Sequence, residues 1–225
     1  MFPDHAEYHI EAHFQISEFN YSGSKPSRGS ERKGRTASFK YSLYIYSRKL
    51  GNVAYNTCYS LSSGLSDRPD GLSDVNRQIA ADVEESGQFM TLFYLVVNKD
   101  SRCLEWVRAG HDPGIFHDPE RDLFENLAGQ GLALGIDSQW HCVTNRKEGL
   151  KEGQIIVLGT DGIWEAQNPQ GEMFGKEAIC RIIRENPETE ANALLDVIID
   201  SLDDFRDGFS LQDDVTLIVV KIGKT

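Results

Sequence analysis

The sequence predicts an α+β domain: a helix, then hairpins and strands, then two helices and a closing strand. Three observations carry this. Ile155-Ile156-Val157-Leu158 is an unbroken apolar run that ends on Gly159, the pattern of a buried strand, and an acid follows it at Asp161. Val215 to Val220 is a second such run, preceded by the acid pair Asp213-Asp214. Leu72, Val75, Ile79 and Val83 recur at helical spacing, as do Leu194, Leu195, Val197, Ile198 and Leu202.

A chain of 225 residues is long enough for one sizeable domain with its own core, and 40% hydrophobic with 26% charged residues is ordinary for a soluble globular protein. It holds no run of eighteen or so apolar residues, so no membrane span is expected. Met1 to Glu7 has neither a basic start nor an apolar core, so no secretory signal is visible. Cys58, Cys103, Cys142 and Cys180 are scattered, without Cys-x-x-Cys spacing; this argues against a zinc site or a disulfide framework and makes a reducing cytoplasm the expected location. Charge is uneven. Residues 1–72 carry 9 basic and 7 acidic side chains, net +2, whereas residues 73–225 carry 14 and 28, net −14. The acidic part is a poor nucleic-acid binder and better suited to cations.

Residues 1–71 read as a divergent or poorly ordered segment and residues 72–225 as the folded domain. Ser22 to Arg35 is polar, basic and rich in breakers, hence loop, and Tyr59 to Gly71 is Ser-, Gly- and Asp-rich. Tyr41 to Tyr46 is a short strand candidate. The basic stretch 25–49 with interleaved tyrosines has the composition of a nucleic-acid contact, but a solvated linker accounts for it better, and no nucleic-acid partner is expected. His5, His9 and His13, spaced by four, would share one face of a helix; nothing around them completes a metal site.

From Leu72 a helix is expected, with Ser73 as its cap and Gly87 as its stop. Met90–Val97 and Cys103–Arg108 form a hairpin around the turn Asn98–Ser101. Ala109-Gly110-His111-Asp112-Pro113-Gly114 is the loop that follows; His111 either holds this loop by hydrogen bonds, the favoured reading, or touches substrate. Gly114–His117 and Leu123–Asn126 make a second hairpin. Gly129-Gln130-Gly131 lacks the Lys-Ser/Thr and helix start of a phosphate loop and reads as a turn. Trp140–Asn145 is a further strand, Glu148–Gly153 a turn, and Ala166–Gly175 a loop. Helices are expected over Glu177–Arg184 and Glu190–Phe205, the second burying its apolar stripe.

Asp161, at a strand end and beside Gly162, is placed to point into a cleft while the backbone turns away. Such a carboxylate suits a hard ion such as Mg²⁺ or Mn²⁺, although a solvated acid at a strand exit explains it equally well alone. Asp213, at the start of the other strand, could face the same ion.

Together these stretches resemble the metal-dependent (type 2C, PPM) protein phosphatases. Thr160-Asp161-Gly162-Ile163-Trp164-Glu165 and Asp213-Asp214-Val215-Thr216 look like the last two acidic motifs of that superfamily. Phe89 to Tyr94, Arg108 to Pro113 and Gly131 to Ile136 are similar to its bacterial branch, which includes the stage II sporulation protein E phosphatases and the sigma-factor regulators. The resemblance spans roughly Leu72 to Ile222. It implies a PPM-type β-sandwich of two mainly antiparallel sheets flanked by helices, here incomplete at the N-terminus. It implies two Mg²⁺ or Mn²⁺ ions whose bound water attacks phosphorus in line, with no protein nucleophile. By motif, Asp161 and Asp213 would be the catalytic metal ligands, Gly162 would stand beside the ion, and Asp214 and His111 would lie behind them. The implied substrate is a phosphoserine or phosphothreonine on a regulatory protein of the anti-sigma-factor-antagonist type; a homodimer is compatible with the picture.

The family also carries two earlier acidic motifs, a Gly-Asp-Tyr-Tyr-Asp strand and a Gly-Asp-Val-Ser-Gly-His-Gly turn, and neither occurs in residues 1–72. Without them metal binding is expected to be weak or absent. Two accounts compete: a first segment translated out of the ancestral frame, and a diverged first half that leaves a catalytically impaired, protein-binding pseudo-phosphatase.

Overall fold

The computed structural model describes residues 71–223, save Glu85, Ser86, Lys99 and Asp214, and the backbone of residues 8–9, 13–15 and 40–48. The expectations for Ser22–Arg35, residues 59–70, His5, Cys58 and Asp214 fall outside the described residues. Ten strands and four helices are described. They are β1 (Tyr8–His9), β2 (His13–Gln15), β3 (Lys40–Arg48), α1 (Leu72–Val83), β4 (Met90–Asn98), β5 (Cys103–Ala109), β6 (Gly114–Asp118) and β7 (Leu123–Leu127), then β8 (Asn145–Glu148), β9 (Ile155–Gly159), α2 (Asp161–Trp164), α3 (Gly175–Glu185), α4 (Ala191–Arg206) and β10 (Val215–Lys221).

One sheet runs β3-β4-β5-β8, antiparallel throughout; the other runs β1-β10-β9-β6-β7, with β2 also paired to β10. Among the described strand pairings of that sheet, those of β1 and β2 to β10 are parallel and the rest antiparallel. The side-chain period of two sorts the core into three layers. On β9, Ile156 and Leu158 face the other sheet, while Ile155 and Val157 face the helices. On β10, Ile218 and Val220 join the inter-sheet layer, while Val215, Leu217 and Val219 join the helical one. On β4, Phe93, Leu95 and Val97 meet the partner sheet, and Met90, Leu92, Tyr94 and Val96 lie under α1. Both faces of β4 and β9 are buried, which is why these stretches are continuously apolar rather than alternating. The result is a four-layer sandwich, α1 over one sheet and α3 with α4 over the other.

The helix expected from Leu72 runs to Val83, and Gly87, at φ +63°, donates its N–H to the Val83 carbonyl (3.2 Å) as the stop. Ser73 does not cap it: its hydroxyl accepts the Cys142 N–H at 3.1 Å. The strand expected at Trp140–Asn145 is displaced, because residues 137–142 are drawn onto α1. Asn76 Nδ2 donates to the Asp137 and Trp140 carbonyls (2.8 and 3.1 Å), and Asn76 Oδ1 accepts the Gly135 N–H (3.0 Å). Pairing resumes only at β8, Asn145–Glu148, which adds to β5 and takes in part of the expected turn. His9 and His13 lie on strands, so the helical face proposed for them does not form. Tyr41–Tyr46 extends to the nine-residue β3, which covers the edge of β4.

Candidate active site

Antiparallel pairing sets Leu217 opposite Gly159, which brings the end of β9 beside the start of β10. Thr160 prolongs the pairing by one residue. Its N–H donates to the Thr216 carbonyl (3.0 Å), and its Oγ1 accepts the Thr216 N–H (2.9 Å). The side chain is needed because the Thr160 carbonyl has already turned into α2, where it accepts the Ile163 N–H (3.1 Å). Asp161 therefore follows directly after the last paired residue of one strand, and Asp213 shortly precedes the first of its neighbour. Both are exposed at one end of the same sheet.

The turn beside Asp161 is made by a helix start, not by a left-handed glycine. Gly162 is a buried residue of α2, and its N–H donates to Asp161 Oδ1 (3.1 Å). The glycine that the geometry requires is Gly159, where an added Cβ would come within 2.7 Å of Ile163 and 2.9 Å of Trp164 as α2 folds back on the strand.

A third segment reaches this end. Residues 110–113 cross from β5 in one sheet to β6 in the other, and Ile115 of β6 pairs with Val157 of β9, so the crossover lies level with Thr160 and Asp161. His111 is buried on the crossover, its ring edge against Phe93 at 6.3 Å between centroids and its Nδ1 3.1 Å from the Asp112 carbonyl. Burial pushes the imidazole below its ordinary range, while the Asp112 carbonyl and the Asp112 and Asp161 carboxylates oppose that shift. The structure thus gathers Asp161 and His111 within electrostatic reach.

The glycine-rich turn that follows β7 holds the crossover from behind. Arg108 donates from Nε to the His111 carbonyl and from a terminal nitrogen to the Gly129 carbonyl (2.9 Å). Gly110, at φ +69°, packs against Ala133 so closely that a Cβ would lie 2.8 Å from it. The two motifs Arg108–Pro113 and Gly131–Ile136 are therefore one construction.

Sequence reasoning passed over Lys176, in the first turn of α3. Its Nζ lies 2.9 Å from Asp112 Oδ2 and 4.2 Å from the Trp164 ring centroid. A lysine at a helix start reads as surface, and no signal in the sequence ties it to the acids.

In kind, Asp161 and Asp213 fit a hard divalent cation, since both offer carboxylate oxygens at an open edge. In number they do not complete a site: among the described residues, no group of three or more His, Cys, Asp or Glu side chains is placed to hold a metal ion.

Two face-to-face antiparallel sheets, helices outside and acids gathered at one end of the strands define the PP2C phosphatase fold. The PP2C phosphatase domain of SpoIIE from Bacillus subtilis, solved with a fragment of its regulatory domain, aligns with a TM-score of 0.65 at 17% identity, over 84% of this chain and 57% of that chain. RsbX in complex with magnesium aligns with a TM-score of 0.57 at 15% identity, over 82% of each chain. The chain belongs to the stage II sporulation protein E (SpoIIE) family, whose model matches residues 53–223 and so begins ahead of Leu72. Phosphoserine phosphatase RsbU of Bacillus subtilis is 33% identical over 150 residues, 67% of this chain and 44% of that protein. The chain spans less than half the length of the curated relatives it matches. Among the described residues no helix is long and apolar enough to cross a membrane.

Proposed function

We propose that the domain is a Mg²⁺- or Mn²⁺-dependent protein phosphatase that hydrolyses a phosphoserine or phosphothreonine on a regulatory protein of a sigma-factor pathway, in the cytoplasm. The observation that carries this is the meeting of the Asp161 and Asp213 motifs at one end of neighbouring strands, in a chain of the SpoIIE family. The similarity to a phosphoserine phosphatase, RsbU, supports the substrate class. Asp161 and Asp213 would hold the cation, which when bound supplies an activated water and charge stabilisation at phosphorus. The chain's own residues orient that edge. Thr160 locks β9 to β10, Gly159 lets α2 fold back on the strand with Asp161 exposed at its start, and His111 lies within electrostatic reach of Asp161 on the crossover.

The test is hydrolysis of a phosphoserine peptide with Mn²⁺. Asp161→Asn is expected to lower the rate about a hundredfold or more, since the cation contributes several kcal/mol at the transition state. Equal rates in wild type and variant would remove the enzymatic reading. A second reading, a phosphatase scaffold retained as a docking module, is favoured by the incomplete acid cluster among the described residues. It predicts no Mn²⁺-dependent turnover and unimpaired capture of the phosphorylated regulator.

A further inference from the structure

Two separate pieces of chain bring the candidate site together: the crossover bearing His111 and the short helix α2 bearing Asp161. The two pieces flank the paired strands β6 and β9 at the same end of the sheet, beyond the reach of that pairing, and each must be held at a set distance from the other. One side chain touches both. Lys176 Nζ stands 2.9 Å from Asp112 Oδ2 on the crossover and 4.2 Å from the ring of Trp164 on α2. Asp112 is joined to His111 through its own carbonyl, and Trp164 shares its four-residue helix with Asp161. The lysine is itself held. It follows Gly175, at φ +78°, at the start of α3, whose Ala178, Ile179, Ile182 and Ile183 are buried in the helical core layer. A flexible side chain on a rigid element thus bridges two loops.

We propose that Lys176 is a positioning residue that clamps the His111 crossover to the Asp161 helix and so sets the geometry of the acidic edge. The proposal deepens the phosphatase reading and rests on it for its consequence in turnover, but the clamp itself is a structural claim. The ammonium is suited to the role because it makes two unlike contacts at once, an ion pair with Asp112 and a cation–π contact with the electron-rich face of Trp164. Its side chain is 30% exposed, so water screens the pair only in part.

The experiment compares wild type, Lys176→Met and Lys176→Arg by amide hydrogen exchange and by Mn²⁺-dependent hydrolysis of a phosphoserine peptide. Lys176→Met keeps the aliphatic stem and removes both contacts; Lys176→Arg can remake both. In Lys176→Met, exchange is expected to quicken about tenfold in residues 109–114 and 160–165 together, with α3 itself unchanged and arginine restoring protection. In an active wild type, kcat is expected to fall about tenfold in Lys176→Met with KM little altered, and arginine is expected to recover it. Faster exchange in only one segment, or in neither, overturns the clamp. So does unchanged kcat in Lys176→Met when wild type turns over. A wild type without turnover removes the phosphatase reading alone, and the exchange comparison still decides the clamp.

Discussion

At Gly131 an added Cβ would sit 1.5 Å from the Arg108 carbonyl oxygen, inside any possible contact. The glycine-rich turn and the end of β5 can approach only because that atom is missing. Gly131→Ala must push the two backbones apart, and a loss of about 3 kcal/mol or more is expected in urea unfolding. Gly171 is the control: it has φ +80° with nothing near a Cβ, so Gly171→Ala should lose only about 1 kcal/mol, from backbone conformation. His117 provides a second test, at the opposite end of the sheet from Asp161. It is 2% exposed and stacked on Phe124 at 4.2 Å. Neither ring nitrogen has a hydrogen-bond partner, and Nε2 is 3.7 Å from Asp122, too far for one. Burial holds the imidazole below 6.5, with Asp122 opposing. The unfolded chain therefore binds the proton more readily, and stability rises with pH through this window. The contribution is complete above pH 6.5 and is lost as pH falls toward the native value, by about 1.4 kcal/mol for each unit of separation. His117→Phe should flatten the stability profile between pH 7.5 and 5.5, measured by urea unfolding. The Arg184 hydrogen bond that lowers the Asp122 carboxyl acts elsewhere, with its contribution lost only as pH falls below 3.8.

At the scale of elements, α1 matters through what it anchors. Asn76, 1% exposed on a helix face otherwise lined by Leu72, Ile79 and Val83, holds residues 135–140 by three hydrogen bonds. That segment continues the turn that supports the His111 crossover, and Leu134 exchanges backbone hydrogen bonds with Met90 of β4 (2.8 and 2.9 Å). Asn76→Ala leaves those backbone groups without their partner and should cost about 3 kcal/mol, a drop of about 6–12 °C in Tm. The same contacts explain the displaced strand. Residues 140–145 carry Trp, Cys and Val and read as extended, but which backbone partner they meet depends on α1, a helix some sixty residues earlier in the chain. Local pattern was sufficient for α1, α3 and α4, whose buried faces recur at helical spacing, and for β4, β5, β6, β9 and β10, whose apolar runs mark buried strands; β7, largely exposed, was legible as the return arm of a hairpin. It was insufficient for the four-residue α2, which is too short to show a period.

For the whole molecule, the decisive quantity is how many carboxylates meet at the acidic edge. Asp161 and Asp213 are there, and among the described residues no group of three or more His, Cys, Asp or Glu side chains is placed to hold a metal ion. The fold nevertheless closes. β3 pairs along the full length of β4, and β1 and β2 lie along β10, so the strands that carry the core have neighbours on both sides. Integrity of the sandwich and completeness of the site are thus separable. Mn²⁺ is expected to bind weakly. With a dissociation constant of about 1 mM, 10 mM Mn²⁺ would raise stability by about 1.4 kcal/mol and Tm by about 3–5 °C. Asp161→Asn should abolish that shift. Two tight binding events by calorimetry would mean that further acids complete the site.

The sequence by itself determined the class of fold and the family, because apolar periodicity and short acidic motifs are local properties that survive without neighbours. It also marked Asp161, Asp213 and His111 as residues of interest. Only the tertiary structure decided that the strands next to these residues lie side by side, that Gly159 rather than Gly162 permits the turn, and that Lys176 spans the two loops. Pairing partners, steric closeness and ion pairs depend on residues far apart in the chain, and their distances are set by packing between layers rather than by order along the backbone.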